Sequence, residues 1–127
     1  MKKPLMVLAL SILATTFVAG LAGARPPYYL EFKGKYYKPD GDITEKEFAK
    51  KVDAAGCRVC HGKNDEGKAD KKIRNVYGKA LAGELMKNEK NKEKIKKALD
   101  TVYDKKVPDG TETYGDRIKA GKLPAGD

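Results

Sequence analysis

The sequence holds two cysteines and one histidine, and all three fall in one five-residue run, Cys57-Arg58-Val59-Cys60-His61. Two thiols two residues apart, followed at once by an imidazole, form the attachment run of a c-type haem. Each thiol can add across one of the two vinyl groups of the porphyrin. The two-residue spacer sets the sulfurs at the separation of those vinyls, and the adjacent imidazole lies under the iron as its proximal ligand. Two other uses of a C-x-x-C pair compete. A thioredoxin-like redox pair needs a βαβ context, which the sequence does not offer. A zinc site needs four ligands, and no further Cys or His completes one. The expected cofactor is one covalent haem c on Cys57 and Cys60, with His61 on the iron. Both cysteines are then consumed, so no disulfide is expected.

The N-terminus points to the compartment in which such a group is attached. Lys2 and Lys3 precede an apolar run from Leu5 to Leu21, which ends in Ala22-Gly23-Ala24. That is the order of a secretory signal peptide with an A-x-A cleavage site. The 20 residues from Leu5 to Ala24 are also long enough to span a bilayer. The small-residue end and the following Arg25-Pro26-Pro27 favour cleavage, leaving no stable membrane span. Thioether attachment of haem takes place on the exported side of the bacterial membrane. The expected location is the periplasm or an equivalent extracytoplasmic compartment.

The iron's sixth position is harder to assign. Of the three methionines, Met1 and Met6 lie in the leader, so Met86 is the only side chain of the usual distal types left after cleavage. If a helix runs from Ile73, Met86 falls about 220° round from it, close to the face opposite the apolar stripe. Met86 is the candidate distal ligand. An open or water-bound iron, a Lys or Tyr ligand, or a group from a partner chain stay open beside it.

The 127 residues less a 24-residue leader leave 103, the size of one domain. Its 25 basic against 18 acidic residues give a formal charge of +7. The charges interleave, as in Lys87-Asn88-Glu89-Lys90-Asn91-Lys92-Glu93-Lys94, which reads as a solvated helix face. An exported haem protein does not meet nucleic acid, so none is expected as a partner. The functional use of the excess charge is steering toward an acidic redox protein or an anionic surface.

The elements that must position the motif read as helices joined by short connections. Residues 25–42 carry Tyr28, Tyr29, Phe32, Tyr36 and Tyr37 among Pro26, Pro27, Gly34, Pro39 and Gly41. Those breakers predict an extended or hairpin-like aromatic arm, lying over the haem edge or docking another subunit. A helix is predicted from Thr44, with a Thr44/Glu47 capping box and an Ile43/Phe48 staple. Phe48, Val52, Ala55 and Val59 form its apolar face and the haem motif its end. Gly62 then lets the chain turn away. Residues 63–72 read as a solvated loop that lacks the ligand spacing of a calcium site. Further helices are predicted over about 73–86, 92–105 (Ile95, Ala98, Leu99, Val102 and Tyr103 inward) and 112–120, closed by Gly121 and Pro124. The expected fold is all-α, about four helices around one haem: a signal peptide at 1–24, the arm at 25–42 and the haem domain at 43–127.

On the Cys57–His61 run and the helices around it, the chain resembles class I cytochromes c. That resemblance implies thioethers at Cys57 and Cys60 and a proximal His61. Class I proteins take a distal Met from a loop near the C-terminus, and the corresponding Ala120-Gly121-Lys122-Leu123-Pro124 has none. Arg74-Asn75-Val76-Tyr77-Gly78-Lys79-Ala80-Leu81 and the stretch from Tyr114 to Pro124 are similar to small monohaem cytochromes of planctomycetes, including anammox bacteria. Some of those form heterodimers, use unusual distal ligands such as Cys, and bind nitric oxide or carbon monoxide. This chain has no third Cys, so Cys ligation does not carry over.

The expected function is periplasmic electron transfer by a monohaem c-type cytochrome with a redox partner protein. The alternative is a haem protein that binds a diatomic gas (NO or CO) through an open or displaceable sixth site, as one subunit of a heterodimer with another small cytochrome. Enzymatic activity is not expected. A peroxidase wants a distal acid–base, and the chain has no second His to serve.

Overall fold

The computed structural model describes residues 27–126. The signal peptide expected at 1–24 lies outside the described residues. Among those described, no helix is long and apolar enough to cross a membrane. The described residues form five α-helices and a two-stranded hairpin, in the order α1 (Pro27–Tyr36), α2 (Ile43–Ala55), a 3₁₀ turn (Gly56–Val59), β1 (His61–Lys63), β2 (Ala69–Arg74), α3 (Val76–Glu84), α4 (Lys92–Tyr103) and α5 (Tyr114–Lys119).

The aromatic segment expected as an extended or hairpin-like arm is helix α1. Pro27 stands at its first position, where a fixed φ and a missing N–H suit a helix start. Gly34 costs about 1 kcal/mol inside a helix. Burying Phe32, which is fully inaccessible, contributes about 1.5–3 kcal/mol and offsets it. Phe32 meets the rings of Tyr36, Phe48 and Tyr77 at centroid distances of 5.2, 6.2 and 5.8 Å. The segment is therefore part of the one core, not a strap over it.

Helix α2 is capped by Asp42, two residues before the expected cap. Asp42 accepts from the Glu45 amide at 2.8 Å, and the Asp42 amide donates back to Glu45 Oε2 at 3.0 Å. The pattern D-x-x-E satisfies the same orphan amides as T-x-x-E, and Asp42 reaches them first. Ile43 is 78% exposed, so the expected staple to Phe48 is not made. Phe48, Val52 and Ala55 are buried as the periodicity requires.

The expected solvated loop at 63–72 contains a hairpin, antiparallel with His61 opposite Arg74 and Lys63 opposite Ala69. Asn64 Oδ1 shapes its turn by accepting from the Glu66 and Lys68 amides, both at 3.0 Å. Helix α3 begins at Val76, not Ile73, because the chain up to Arg74 is strand and Asn75 is the N-cap. Helix α4 buries Ile95, Ala98, Leu99 and Val102 on α1 and α3, and Tyr103 stacks on Tyr36 at 5.5 Å. Helix α5 starts from a Thr113/Asp116 capping box, and Pro124 beyond it is fully buried.

Candidate haem-attachment site

The motif sits where α2 stops. Gly56 ends the helix at φ +52°, a conformation that favours glycine. The chain then tightens into the 3₁₀ turn, in which residues three apart eclipse. Cys57 lies within this turn and Cys60 caps it, the Cys60 amide donating to the Cys57 carbonyl at 3.3 Å. Neither is in a disulfide. Cys57 is exposed, whereas Cys60 packs against the core, where burial and then the neighbouring Cys57 push its thiol up to about 12. Among the described residues, no three His, Cys, Asp or Glu side chains converge as a metal site.

His61 opens strand β1, and its Nδ1 lies 3.1 Å from the Ile73 carbonyl oxygen on β2. A carbonyl only accepts, so Nδ1 carries the proton and Nε2 keeps its lone pair. That is how an imidazole metal ligand is normally oriented. The hairpin supplies this carbonyl. Gly62 does not turn the chain as expected from sequence but lies in β1, where a Cβ would stand 2.5 Å from Ile73 Cγ2 and push that side chain aside.

A third element grips the turn from the other side. Asn75 Nδ2 donates to the Arg58 carbonyl at 2.9 Å and to the Val59 carbonyl at 3.0 Å. The Asn75 amide donates to the Cys60 carbonyl at 3.1 Å, and its Oδ1 caps α3 by accepting from the Gly78 amide at 2.9 Å. Helix α3 comes this close because residue 78 has no side chain: a Cβ would stand 2.0 Å from the Cys60 carbonyl oxygen. Sequence reasoning did not single out Ile73, Asn75 or Gly78 for this work. The signal available was an Asn placed as N-cap before the apolar run of α3.

His61 lines an open groove of about 430 Å³. Ala54, Ala55, Leu123 and Ala125 give it apolar walls, and Lys51, Arg58 and Lys63 give it cations. Met86 is elsewhere. It lies past the end of α3, is 75% exposed, and lines a second groove of about 660 Å³ with Pro27, Tyr28, Arg74 and Leu85. The structure brings Cys57, Cys60 and His61 together on one turn and does not bring Met86 to them.

The groove has the chemistry a covalent haem would need, although neither Cys57 nor Cys60 is among its lining residues. The apolar walls match a flat macrocycle, and the cations match its two anionic propionates. Tyr77 adds a second observation. Its hydroxyl is the one buried side-chain polar atom without a partner among the described residues. Its ionisation is pushed up by burial first and by Cys60 next, so an unsatisfied donor sits within electrostatic reach of a cysteine that would carry the group. No family model, curated protein or solved structure matches this chain, so the assignment rests on its own residues and their geometry.

Proposed function

We propose that this protein carries one covalent haem c and serves as a one-electron carrier in an exported compartment. The observation that supports this most is the His61 Nδ1 bond to the Ile73 carbonyl beside two unpaired thiols on one turn. The haem, when bound, supplies the one-electron couple. The chain supplies the rest. Cys57 and Cys60 fix the group covalently, and the hairpin holds the imidazole with Nε2 free to bind. Lys51, Arg58 and Lys63 balance the propionates, and the alanines with Leu123 keep water from one face. The basic surface steers an acidic redox partner toward that edge.

One observation favours a second reading. The C-terminal residues that line the His61 groove, Leu123, Ala125 and Gly126, have no side chain with a lone pair, while Met86 is exposed and lines another groove. On this reading the sixth position is open to a small neutral ligand such as carbon monoxide. Absorption spectra of oxidised and reduced protein, with and without carbon monoxide, separate the two. A low-spin spectrum unmoved by carbon monoxide supports the closed carrier. A high-spin spectrum with a rapid carbon monoxide shift supports the open site, and Leu123→Met should then abolish that shift while Met86→Ala leaves it unchanged. A purified chain with no covalent haem refutes both.

A further inference from the structure

The motif's three consecutive carbonyls, at Arg58, Val59 and Cys60, all accept from one residue. Two are reached by the Asn75 side chain and one by its backbone amide. These are the carbonyls of the spacer and of the second cysteine, the groups whose orientation sets the separation of the two sulfurs. A 3₁₀ turn has poor hydrogen-bond geometry and is stable only in short pieces, so an external grip decides its shape. Asn75 itself is held. Its Oδ1 caps α3, and α3 is anchored in the core through Tyr77 and Leu81.

We infer that Asn75 is a positioning residue for haem attachment: it presets the Cys57–Cys60 turn so that both thiols meet their vinyl groups. This rests on the haem reading proposed above. In the attachment step each thiol adds across one vinyl group. Sulfur bonds to one carbon and hydrogen goes to the other, with no net oxidation. Asn75 touches neither sulfur, and its contribution is the geometry of the backbone between them.

Asn75 has two separable roles. Ser and Asp are as good as Asn at a helix N-cap, so Asn75→Ser and Asn75→Asp both preserve the cap of α3. Neither can donate to the Arg58 and Val59 carbonyls as the amide does, and Asp also turns a negative oxygen toward them. Each full-length variant is expressed in a bacterium with haem-attachment machinery, denatured and alkylated with iodoacetamide. A doubly attached chain gains no carbamidomethyl group, a singly attached chain gains one, and the haem stays on the chain in both. The wild type is expected to gain none. Both variants are expected to retain the far-ultraviolet circular dichroism of the wild type and to shift toward one added group, Asp more than Ser. Their alkaline pyridine spectra should move to the red as one vinyl persists. Wild-type levels of double attachment in both variants would overturn the inference. So would loss of the fold in the Ser variant, because Asn75 would then be acting through α3 alone. A wild type that carries no haem refutes the functional reading instead.

Discussion

Helix α3 contains two glycines for which the same substitution should have opposite effects. Changing Gly to Ala in a helix interior gains about 1 kcal/mol of intrinsic propensity. At Gly83 a Cβ would meet nothing within 4 Å, and since Gly83 is the last residue but one of α3 a part of that gain should appear. At Gly78 the Cβ would stand 2.0 Å from the Cys60 carbonyl oxygen and 2.9 Å from its carbon, both backbone atoms that no side-chain rotation can clear. Overpacking of this kind costs about 1–3 kcal/mol. Pushing α3 off the turn also strips the Asn75 bonds, and a buried carbonyl left unpaired costs a further 1–3 kcal/mol or so. After the propensity gain is subtracted, Gly78→Ala should lose about 1–5 kcal/mol. In a domain of this size 1 kcal/mol moves Tm by about 4–8 °C. Gly83→Ala should therefore raise Tm by up to a few degrees, and Gly78→Ala should lower it by at least about 4 °C. Thermal unfolding followed by far-ultraviolet circular dichroism on the three chains reads both shifts. Movement of the two variants in the same direction, or an unchanged Gly78→Ala, would refute the close approach of α3 to the motif.

The place of α1 in the core predicts that Phe32→Ala loses about 3–5 kcal/mol; a loss under 1 kcal/mol by urea denaturation would return the segment to a detachable arm. Three carboxylates lie below their ordinary values. For Glu45 the largest cause is the Lys38 side chain, for Glu89 the Asn91 amide and for Asp116 the Thr113 amide. A depressed folded pKa gives stability that is present above the unfolded value and lost as pH falls through the folded one. The urea midpoint should thus be level near neutrality and fall below the ordinary values of 4.5 and 3.8. Glu45→Gln with Asp116→Asn should make that fall shallower, and an unchanged slope would sink the assignment.

The parts of the fold legible in the sequence are those with strong period or local chemistry. The Ile95, Ala98, Leu99 and Val102 stripe is buried as read, and the motif falls at the end of α2. Three features were hidden for separate reasons. Helix α1 was masked by Pro27 and Gly34, yet a proline in the first turn starts a helix and one glycine is outweighed by a buried Phe32. The hairpin buries neither face well, so its strands show no alternation to detect, and its turn is made by Asn64. The cap of α2 was ambiguous because Asp42 and Thr44 each have a Glu three residues on, and only tertiary placement chose between them. At the site, the grouping of Cys57, Cys60 and His61 was legible while their supports were not. Ile73 contributes a backbone carbonyl, which no side-chain pattern announces, and Asn75 does its gripping from 15 residues beyond Cys60.

The division of labour around the groove has a consequence for the iron. Gly56 at the end of α2, the Ile73 carbonyl of the hairpin and Asn75 at the start of α3 together fix the turn that would hold the haem and its proximal imidazole. None of them lies in the C-terminal segment, which supplies Leu123, Ala125 and Gly126 to the same groove. That segment has its own anchorage. Gly121 turns at φ +72° against Thr44, the Lys122 amide donates to the Arg117 carbonyl at 2.9 Å, and Arg117 Nη1 donates to the Pro124 carbonyl at 3.1 Å while its Nε pairs with Glu112 at 2.7 Å. On the proposed reading, attachment and sixth-position chemistry fall to two structural units that line one groove and have separate anchors. Because the two units have separate anchors, their main effects should separate, even though residues that line one cavity also couple. A change at Leu123 should then alter what binds the iron without altering how many thioethers form, and a change at Asn75 should do the reverse.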